Sequence, residues 1–509
     1  MRALISVYNK QGIDGFAKGL AELGFELVSS GGTASFLEEQ GLSVTRVEDV
    51  TGAPEMFGGR VKTLHPSIHA GILARRDIPE DRDTLAQHGI APFDLVCVNL
   101  YPFTSVAGRI DVEDADVIEM IDIGGPSLLR GAAKNFAHVA AVCRPEQYDP
   151  VLAELGDGSL SQETRRALAA EAFAATAAYD AAIARWFAEE QFFPDQLTVT
   201  FRKVTDLPYG ENPHQSAAYY EEIGARRHLL SRVNQLGGKE LSYNNLADMD
   251  GARRIIRELS EPAAVVVKHA NPCGVAVAAD ITDAYLRAVA ADPISAFGCV
   301  LMLNRPVDAA LAARIAEHFV EVVQAPEFSD EAIAILEAKP ALRILRDRER
   351  RADTPNERDF KRVLGGLIVQ ERDASTDTRD GMSVATGSVT EGQWNDLLFA
   401  WTVCKHVSSN AIVIAKDGQT IGIGAGQMSR VDAVRIAVEK AQELGHDPAG
   451  AVLASDAFFP FADGPQLALD AGVKTIIQPG GSKRDAEVVA AVEAAGAAMV
   501  VTGRRHFRH

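Results

Sequence analysis

The stretch Gly58-Gly59-Arg60-Val61-Lys62-Thr63-Leu64-His65-Pro66 puts glycines, two cations, a hydroxyl and an imidazole within nine residues. Arginine suits bidentate binding of phosphate, and lysine serves as a point charge or a proton donor. Ser30-Gly31-Gly32-Thr33 falls between a strand pattern and a helix pattern. Backbone N–H groups at such a junction, with glycine to admit the ligand, can cradle a phosphate. A plain helix cap explains the same residues, and they match neither G-x-G-x-x-G nor a P-loop. Asn99-Leu100-Tyr101-Pro102-Phe103 closes a strand and offers a phenol. Ile121-Asp122-Ile123-Gly124-Gly125 places a carboxylate near the start of a helix that carries Lys134 and Asn135. Acid, phenol and two lysines form a proton-transfer set, although each alone is more often structural.

A second group lies beyond residue 200. Lys268-His269 ends an apolar run and leads into Asn271-Pro272-Cys273-Gly274. An imidazole beside an ammonium can take and return protons near neutral pH. Asn212-Pro213-His214-Gln215 reads as a polar turn, and Asn244-Asn245-Leu246 as a loop leading into a helix from Asp248. A zinc deaminase would show H-x-E and P-C-x-x-C. Here His269 is followed by Ala270-Asn271 and Cys273 by Gly274-Val275-Ala276, so both are missing. Cys97, Cys143, Cys273, Cys299 and Cys404 are odd in number, widely spaced and without C-x-x-C. They are expected to be reduced thiols, with no disulfide framework and no zinc site.

These residues must be positioned by a chain of 509 residues, a length that suggests about three domains. The net charge of −19 repels bulk nucleic acid and anionic membrane, so an anionic ligand needs a local cationic pocket. Aromatic content of 6% argues against base-stacking platforms. The N-terminal apolar run is too short for a signal peptide, and Val488 to Val501 is interrupted by Glu493 and shorter than a membrane span. A soluble, cytoplasmic protein is expected.

The first ~150 residues alternate strand and helix patterns, which implies a parallel sheet covered on both faces, with ligands at the carboxyl ends of its strands. An Ala-rich helix over 161–191, capped by Ser161, ends at Phe192-Phe193-Pro194-Asp195, where a domain boundary is expected. The remainder contains an echo. Val265-Val266-Val267-Lys268-His269 corresponds to Thr402-Val403-Cys404-Lys405-His406, and Ser295-Ala296-Phe297 to Ser455-Asp456-Ala457-Phe458. This is read as two copies of one α/β subdomain. The charge-rich stretch Arg343 to Arg362 is read as their solvated connector.

Gly59–Pro66, Asn99–Phe103, Asp122–Gly125, Tyr209-Gly210-Glu211-Asn212-Pro213-His214-Gln215, Lys268-His269 and Ser455–Phe461 occur in one order along the chain. Together they resemble the family of bifunctional purine-biosynthesis enzymes that combine AICAR formyltransferase with IMP cyclohydrolase. The resemblance covers essentially the whole chain. It implies an α/β protein: a methylglyoxal-synthase-like parallel-sheet domain over 1–196 that closes the purine ring, then two cytidine-deaminase-like α/β subdomains over 197–509, split near 340–362. The second region would transfer formyl from 10-formyltetrahydrofolate, as co-substrate, to AICAR. A homodimer with transformylase sites built across the subunit interface is implied, acting on small molecules only.

By the same resemblance His269 is the transformylase base, Lys268 steadies charge and assists proton delivery, and Asn410 orients the carboxamide or formyl oxygen. Tyr209, Gly298, Glu321, Phe458 and Arg505 would hold AICAR. Arg430, Val431, Asp463, Ser482 and Lys483 would face folate. In the cyclohydrolase Lys134 would be the proton shuttle, with Lys62, Tyr101 and Asp122 arranging and polarising the groups. Asn9, Lys10, Ser30, Gly31, Gly32 and Thr33 would line the nucleotide site, together with Arg60, Thr63, Asn99, Ile123 and Gly124. One departure stands out: the family has Arg before Tyr-Gly-Glu-Asn-Pro-His-Gln as a phosphate ligand, and this chain has Pro208. That leaves the phosphate to Arg505 or another cation. Whether a monovalent cation is bound stays open. The rival classes are a zinc-dependent deaminase, which lacks its ligands, and a non-catalytic nucleotide-binding scaffold. The coexistence of Lys62, Asp122, Lys134, Lys268 and His269 speaks against the scaffold.

Overall fold

The structure is a computed structural model that describes residues 1–54, 56–109, 111–188, 191–225, 227–350 and 357–509. The chain forms two compact units, Met1–Arg202 with Glu222–Arg226, and Lys203–Glu221 with Arg227–His509. Of the charged stretch 343–362, read above as a solvated connector, 351–356 lie outside the described residues, and Arg343–Asp347 is instead a strand of the second unit's main sheet with Ile344 and Leu345 buried, while Arg358–Val363 is a strand of a separate ribbon.

The first unit is built on β1 (Arg2–Val7), β2 (Glu26–Ser29), β3 (Val44–Arg46), β4 (Leu95–Asn99) and β5 (Ala140–Val142), all parallel in the order β3-β2-β1-β4-β5. Strand periodicity sends alternate residues to opposite faces. Ala3, Ile5, Leu95 and Cys97 pack with Phe16, Leu20 and Tyr148 on one side. Leu4, Val96 and Val98 pack with Ile68, Leu128 and Leu129 on the other. The half-buried three-residue β3 was not anticipated; it has no continuous apolar run to mark it.

The Ala-rich helix is Gln162–Phe187, and Ser161 accepts the Thr164 N–H at 3.1 Å as its cap. By length and composition it could cross a membrane, but Leu168, Ala169 and Ala172 are buried in the unit's two cores. Small side chains allow that close approach. Near its far end Arg185 pairs with Glu222 at 2.7 Å.

β6 (Phe201–Leu207) and β7 (Ala217–Glu222), most of whose residues belong to the second unit, form a small two-stranded sheet. The main sheet takes strands from two repeats. The first supplies β8 (Val233–Gly237), β9 (Ala263–Lys268), β10 (Asn271–Val277), β11 (Cys299–Leu303), β12 (Val320–Ala325) and β13 (Arg343–Asp347). After a separate ribbon, β14 (Arg358–Val363) with β15 (Gly366–Glu371), the second supplies β16 (Ser383–Thr386), β17 (Ile412–Lys416) and β18 (Gln419–Gly424). It then adds β19 (Val452–Ser455), β20 (Thr475–Gln478) and β21 (Ala498–Val501). The order is β16-β21-β20-β19-β17-β18-β10-β9-β11-β12-β13-β8, which reads the same from either end once each repeat's strands are matched. The repeats join through one antiparallel register pair, Ala276 with Gln419.

Two copies of one α/β subdomain are therefore present, but the sequence echo aligned them wrongly. Thr402-Val403-Cys404 is helical, part of Glu391–Cys404, whereas Val265-Val266-Val267 is strand β9. The true counterpart of Lys268 is Lys416, each ending a strand before a tight turn. His269 and Ala270, with φ 54 and 59, match Asp417 and Gly418, with φ 53 and 70. Each turn is held from a helix: Asp248 Oδ1 accepts the Ala270 N–H at 2.6 Å, and Asp396 accepts those of Asp417 and Gly418 at 2.9 and 2.7 Å. The Ser-x-Ala-Phe match also fails, since Ser295 precedes β11 and Ser455 ends β19. The helix expected from Asp248 begins at Tyr243, because Ser242 and Asn245 form a reciprocal capping box.

Candidate active sites

In the first unit β2 and β4 lie on opposite sides of β1, and the crevice at their carboxyl ends is where such sheets bind ligands. A cavity of about 640 Å³ opens there. Two helices, Gly31–Glu39 and Gly124–Lys134, point their N-termini into it, so their free N–H groups face any anion bound there. Lys62 crosses the floor: a Cβ on Gly31, whose φ is +50, would lie 2.5 Å from the Lys62 ammonium. Glycine at 31 is thus what lets the cation reach the cradle. A Cβ on Gly124 would meet Thr63 Oγ1 at 2.6 Å.

The walls are rigidly tied. Thr33 Oγ1 donates to the Val7 carbonyl at 2.9 Å and accepts from Lys10 Nζ at 3.1 Å. Burial lowers the Lys10 pKa. Asn99 Oδ1 accepts the N–H groups of Tyr8 and Asn9 at 2.6 and 2.9 Å, and its amide donates to the Asn9 carbonyl. Arg60 pairs with Glu119 at the rim. Asp122 Oδ1 accepts the Gly125 N–H at 2.8 Å. Burial raises the Asp122 pKa against the pull of the Gly125 and Tyr101 amides, and burial followed by the Asp122 charge raises that of Tyr101. The phenol is held protonated and the carboxylate is made a better base, which suits one as hydrogen-bond donor and the other as proton acceptor.

Lys10, Ser30, Gly32, Thr33, Arg60, Lys62, Thr63, Asn99, Tyr101, Asp122, Ile123 and Gly124 all line this cavity, with Gly31 and Asn9 in direct contact with its walls. Lys134 does not. It ends the 11-residue Gly124–Lys134 helix, about 16 Å from the helix start, and lines a different cavity with Arg130 and Arg166. Tyr8 was missed; its ring stands 5.5 Å from that of Tyr101 and it lines the cavity. Its only signal in the sequence was its place beside Asn9-Lys10.

In the second unit the strand directions decide the site. β9, β18, β19, β20 and β21 run one way, and β10, β11, β12 and β17 the other. One sheet edge therefore collects Lys268 and His269 after β9, Gly298 before β11, and Glu321 at the start of β12. The same edge takes Asn410 before β17, Arg430 and Val431 after β18, and Phe458 and Asp463 after β19. Ser482 and Lys483 follow β20 there, and Arg505 follows β21.

Contacts link the two repeats at this edge. Lys268 Nζ donates to the Phe297 carbonyl at 2.5 Å. The Asn271 amide donates to the His269 carbonyl at 3.2 Å, and its Oδ1 accepts the Ser408 N–H at 2.9 Å, two residues from Asn410. Asn410 donates to the Gln427 carbonyl at 2.8 Å. A cavity of about 230 Å³ opens beside Lys268 and His269. Asn271 and Asp248 were not expected as positioning residues, because their partners are remote in sequence. Glu321 accepts from Asn245 at 3.0 Å, Tyr209 is partly exposed, and Arg505 lies over the Phe507 ring at 4.5 Å.

Arg430 departs from its expected role. Its guanidinium is buried on Asp456 and Ser455 and donates to Asn410 Oδ1 at 2.7 Å. It orients Asn410 and its side chain is nearly buried, whereas Val431, Asp463, Ser482 and Lys483 are partly or fully exposed. The second Lys-His pair is structural: Lys405 and His406 both bind Glu258, at 2.9 and 2.7 Å. Burial lowers the His406 pKa even against Glu258. Among the described residues no group of three His, Cys, Asp or Glu side chains could hold a metal ion.

Two distinct sites on two unlike α/β scaffolds describe a bifunctional enzyme. A family model for the MGS-like domain matches residues 12–127, and one for the AICARFT/IMPCHase bienzyme matches residues 132–440. The bifunctional purine biosynthesis protein PurH of Oceanobacillus iheyensis is 50% identical over 511 aligned positions, covering 100% of this chain and 99% of that protein. A crystal structure of ForH is 41% identical, with a TM-score of 0.34, covering 37% of this chain and 98% of that one. The chain belongs to the AICARFT/IMPCHase bienzyme family. It accordingly carries the last two steps of IMP synthesis, formyl transfer to AICAR and dehydrative ring closure.

Proposed function

We propose that residues 1–196 close the ring and residues 197–509 transfer the formyl group, each with the side chains described above. In cyclisation the carboxamide nitrogen attacks the formyl carbon, and the resulting carbinol loses water. The helix N-termini, with Lys10 and Lys62, receive the phosphate and developing oxyanion. Asp122 takes the proton leaving nitrogen, and the Tyr101 phenol hydrogen-bonds the departing oxygen. Lys134 stands at the far end of its helix, so in a single chain it acts on this chemistry only from outside the cleft. The convergence of Lys62, Tyr101 and Asp122 on one cavity carries this reading.

In formyl transfer the AICAR 5-amino group is a weak nucleophile, since its lone pair is delocalised. His269 accepts its proton as nitrogen attacks the formyl carbon, Lys268 delivers a proton toward the folate nitrogen, and Asn410, fixed by Arg430, orients an oxygen. The observation that supports this set is its collection on one sheet edge from both repeats. 10-Formyltetrahydrofolate is the co-substrate, with Val431, Asp463, Ser482 and Lys483 along its path and Tyr209, Gly298, Glu321, Phe458 and Arg505 toward AICAR. The enzyme is proposed to be a cytoplasmic homodimer. Incubating the protein with AICAR and 10-formyltetrahydrofolate tests the reading: tetrahydrofolate and IMP should appear, and formyl-AICAR alone should give IMP without folate. Failure of either conversion counts against the corresponding site.

A further inference from the structure

The sheet has a second edge, and the pseudo-twofold makes it the twin of the first. The turn at Lys268-His269 maps onto Lys416-Asp417, which lies on the opposite edge because the repeats meet antiparallel. Likewise the carboxyl ends of β19, β20 and β21, which carry Phe458, Ser482 and Arg505, map onto those of β11, β12 and β13. At that second edge a cavity of about 680 Å³ opens, within the size range of small-molecule sites and at the strand ends where parallel sheets bind ligands.

The lining is cationic in a chain of net charge −19. Arg253, Arg257, Arg305, Arg348 and Arg350 face Glu327, Asp347 and Glu349. The acids are engaged: Arg253 lies 2.9 Å from Asp347, and Arg348 pairs with Glu327. Among the described residues Arg305 and Arg350, by contrast, donate to backbone carbonyls alone, Arg305 to those of Asn304 and Ser260 and Arg350 to those of Asp347 and Glu349. Gln324, 1% exposed, donates its amide to Asp347 at 2.7 Å, and its Oε1 is buried with no hydrogen-bond partner among the described residues. A buried acceptor left unmet is costly, so a ligand that brings a donor gains there.

We propose that this cleft binds a phosphate monoester whose organic part carries a hydroxyl or N–H donor, the phosphate going to Arg305 and Arg350 and the donor to Gln324 Oε1. The twin-edge argument rests on the transformylase reading of the first edge; the charge and the orphaned acceptor do not.

The full chain, titrated with ribose 5-phosphate by calorimetry, should show one more site per chain than the variant Arg305→Gln/Arg350→Gln, or a site on the order of 10²-fold weaker in that variant. Gln324→Leu should weaken ribose 5-phosphate while leaving inorganic phosphate unchanged. Both variants lie outside the reaction machinery, so formyl transfer and cyclisation should stay within about twofold. Equal stoichiometry and affinity in wild type and the double variant would overturn the site. Parallel loss of phosphate and ribose 5-phosphate in Gln324→Leu would overturn the donor assignment. If the cleft binds as described but the wild-type protein lacks formyl transfer, the first-edge reading fails alone.

Discussion

Arg430→Met tests the edge most directly. The Arg430 side chain is 6% exposed and Asp456 is 0% exposed, so removing the cation strands a buried carboxylate. Breaking a buried pair on one side costs about 3–5 kcal/mol, which a domain of ordinary stability survives. The same change removes the hydrogen bond to Asn410 Oδ1, a charged contact worth about 1.5–3 kcal/mol. If all of that holds Asn410 in place, formyl transfer falls by about 10- to 150-fold. Denaturant unfolding of the full chain measures the first effect. Folate-coupled turnover at saturating AICAR measures the second, with cyclisation of supplied formyl-AICAR as the control. Arg430→Met/Asp456→Asn should regain most of the stability, since no lone charge remains buried, and none of the transfer. A stability loss under about 1 kcal/mol, or a double variant no more stable than the single one, would refute the reasoning.

His269→Ala should lower formyl transfer by roughly 10²–10⁴-fold and leave ring closure intact, and equal loss of both activities would sink the base assignment. A chain ending at residue 202 should convert formyl-AICAR to IMP; it loses the partly exposed Arg185–Glu222 pair and the hydrogen bonds of Ile223 with Arg185 and Thr200, each worth about 1 kcal/mol, so a folded but inactive fragment counts against an independent site. His506 is buried between Asp373 and Asp377, at 2.5 and 2.7 Å, and although burial opposes it, these bonds raise its pKa. Its contribution to stability is therefore complete below about pH 6.5 and is lost as pH rises through the raised value. The two aspartates have lowered pKa values, so theirs is present above about pH 3.9 and lost on acidification. Melting temperature against pH should show the alkaline fall in wild type and a flatter profile in His506→Gln; identical alkaline slopes contradict this.

Some of the fold was legible because it is local. The short apolar run from Ala3-Leu4-Ile5 to Val7 and the run Val265-Val266-Val267 announce strands whatever their partners. The misread echo also had a local remedy. Trp394, Leu397, Trp401 and Cys404 recur at helical spacing behind a Thr390/Gln393 capping box, which places Lys405-His406 at a helix end. The position of Lys134 followed from a rule too: Pro126 sits in the first turn, where its missing N–H breaks nothing, so the helix runs straight. Other features depended on contacts remote in sequence. Nothing near Arg430 shows that Asp456 will arrive from another strand, and nothing near Gly31 shows that Lys62 will press against it.

The single register pair between the repeats bears on how the chain is made. During synthesis the first repeat can complete β8 to β13 well before β18 emerges, which leaves β10 as an open strand edge on the nascent chain. Such an edge invites pairing with neighbouring chains. β10 is not a regular strand: Pro272 offers no N–H, and its ladder with β9 shifts register between Pro272 and Gly274. An irregular, bent strand of this kind is a poorer template for a second chain than a flat, regular one.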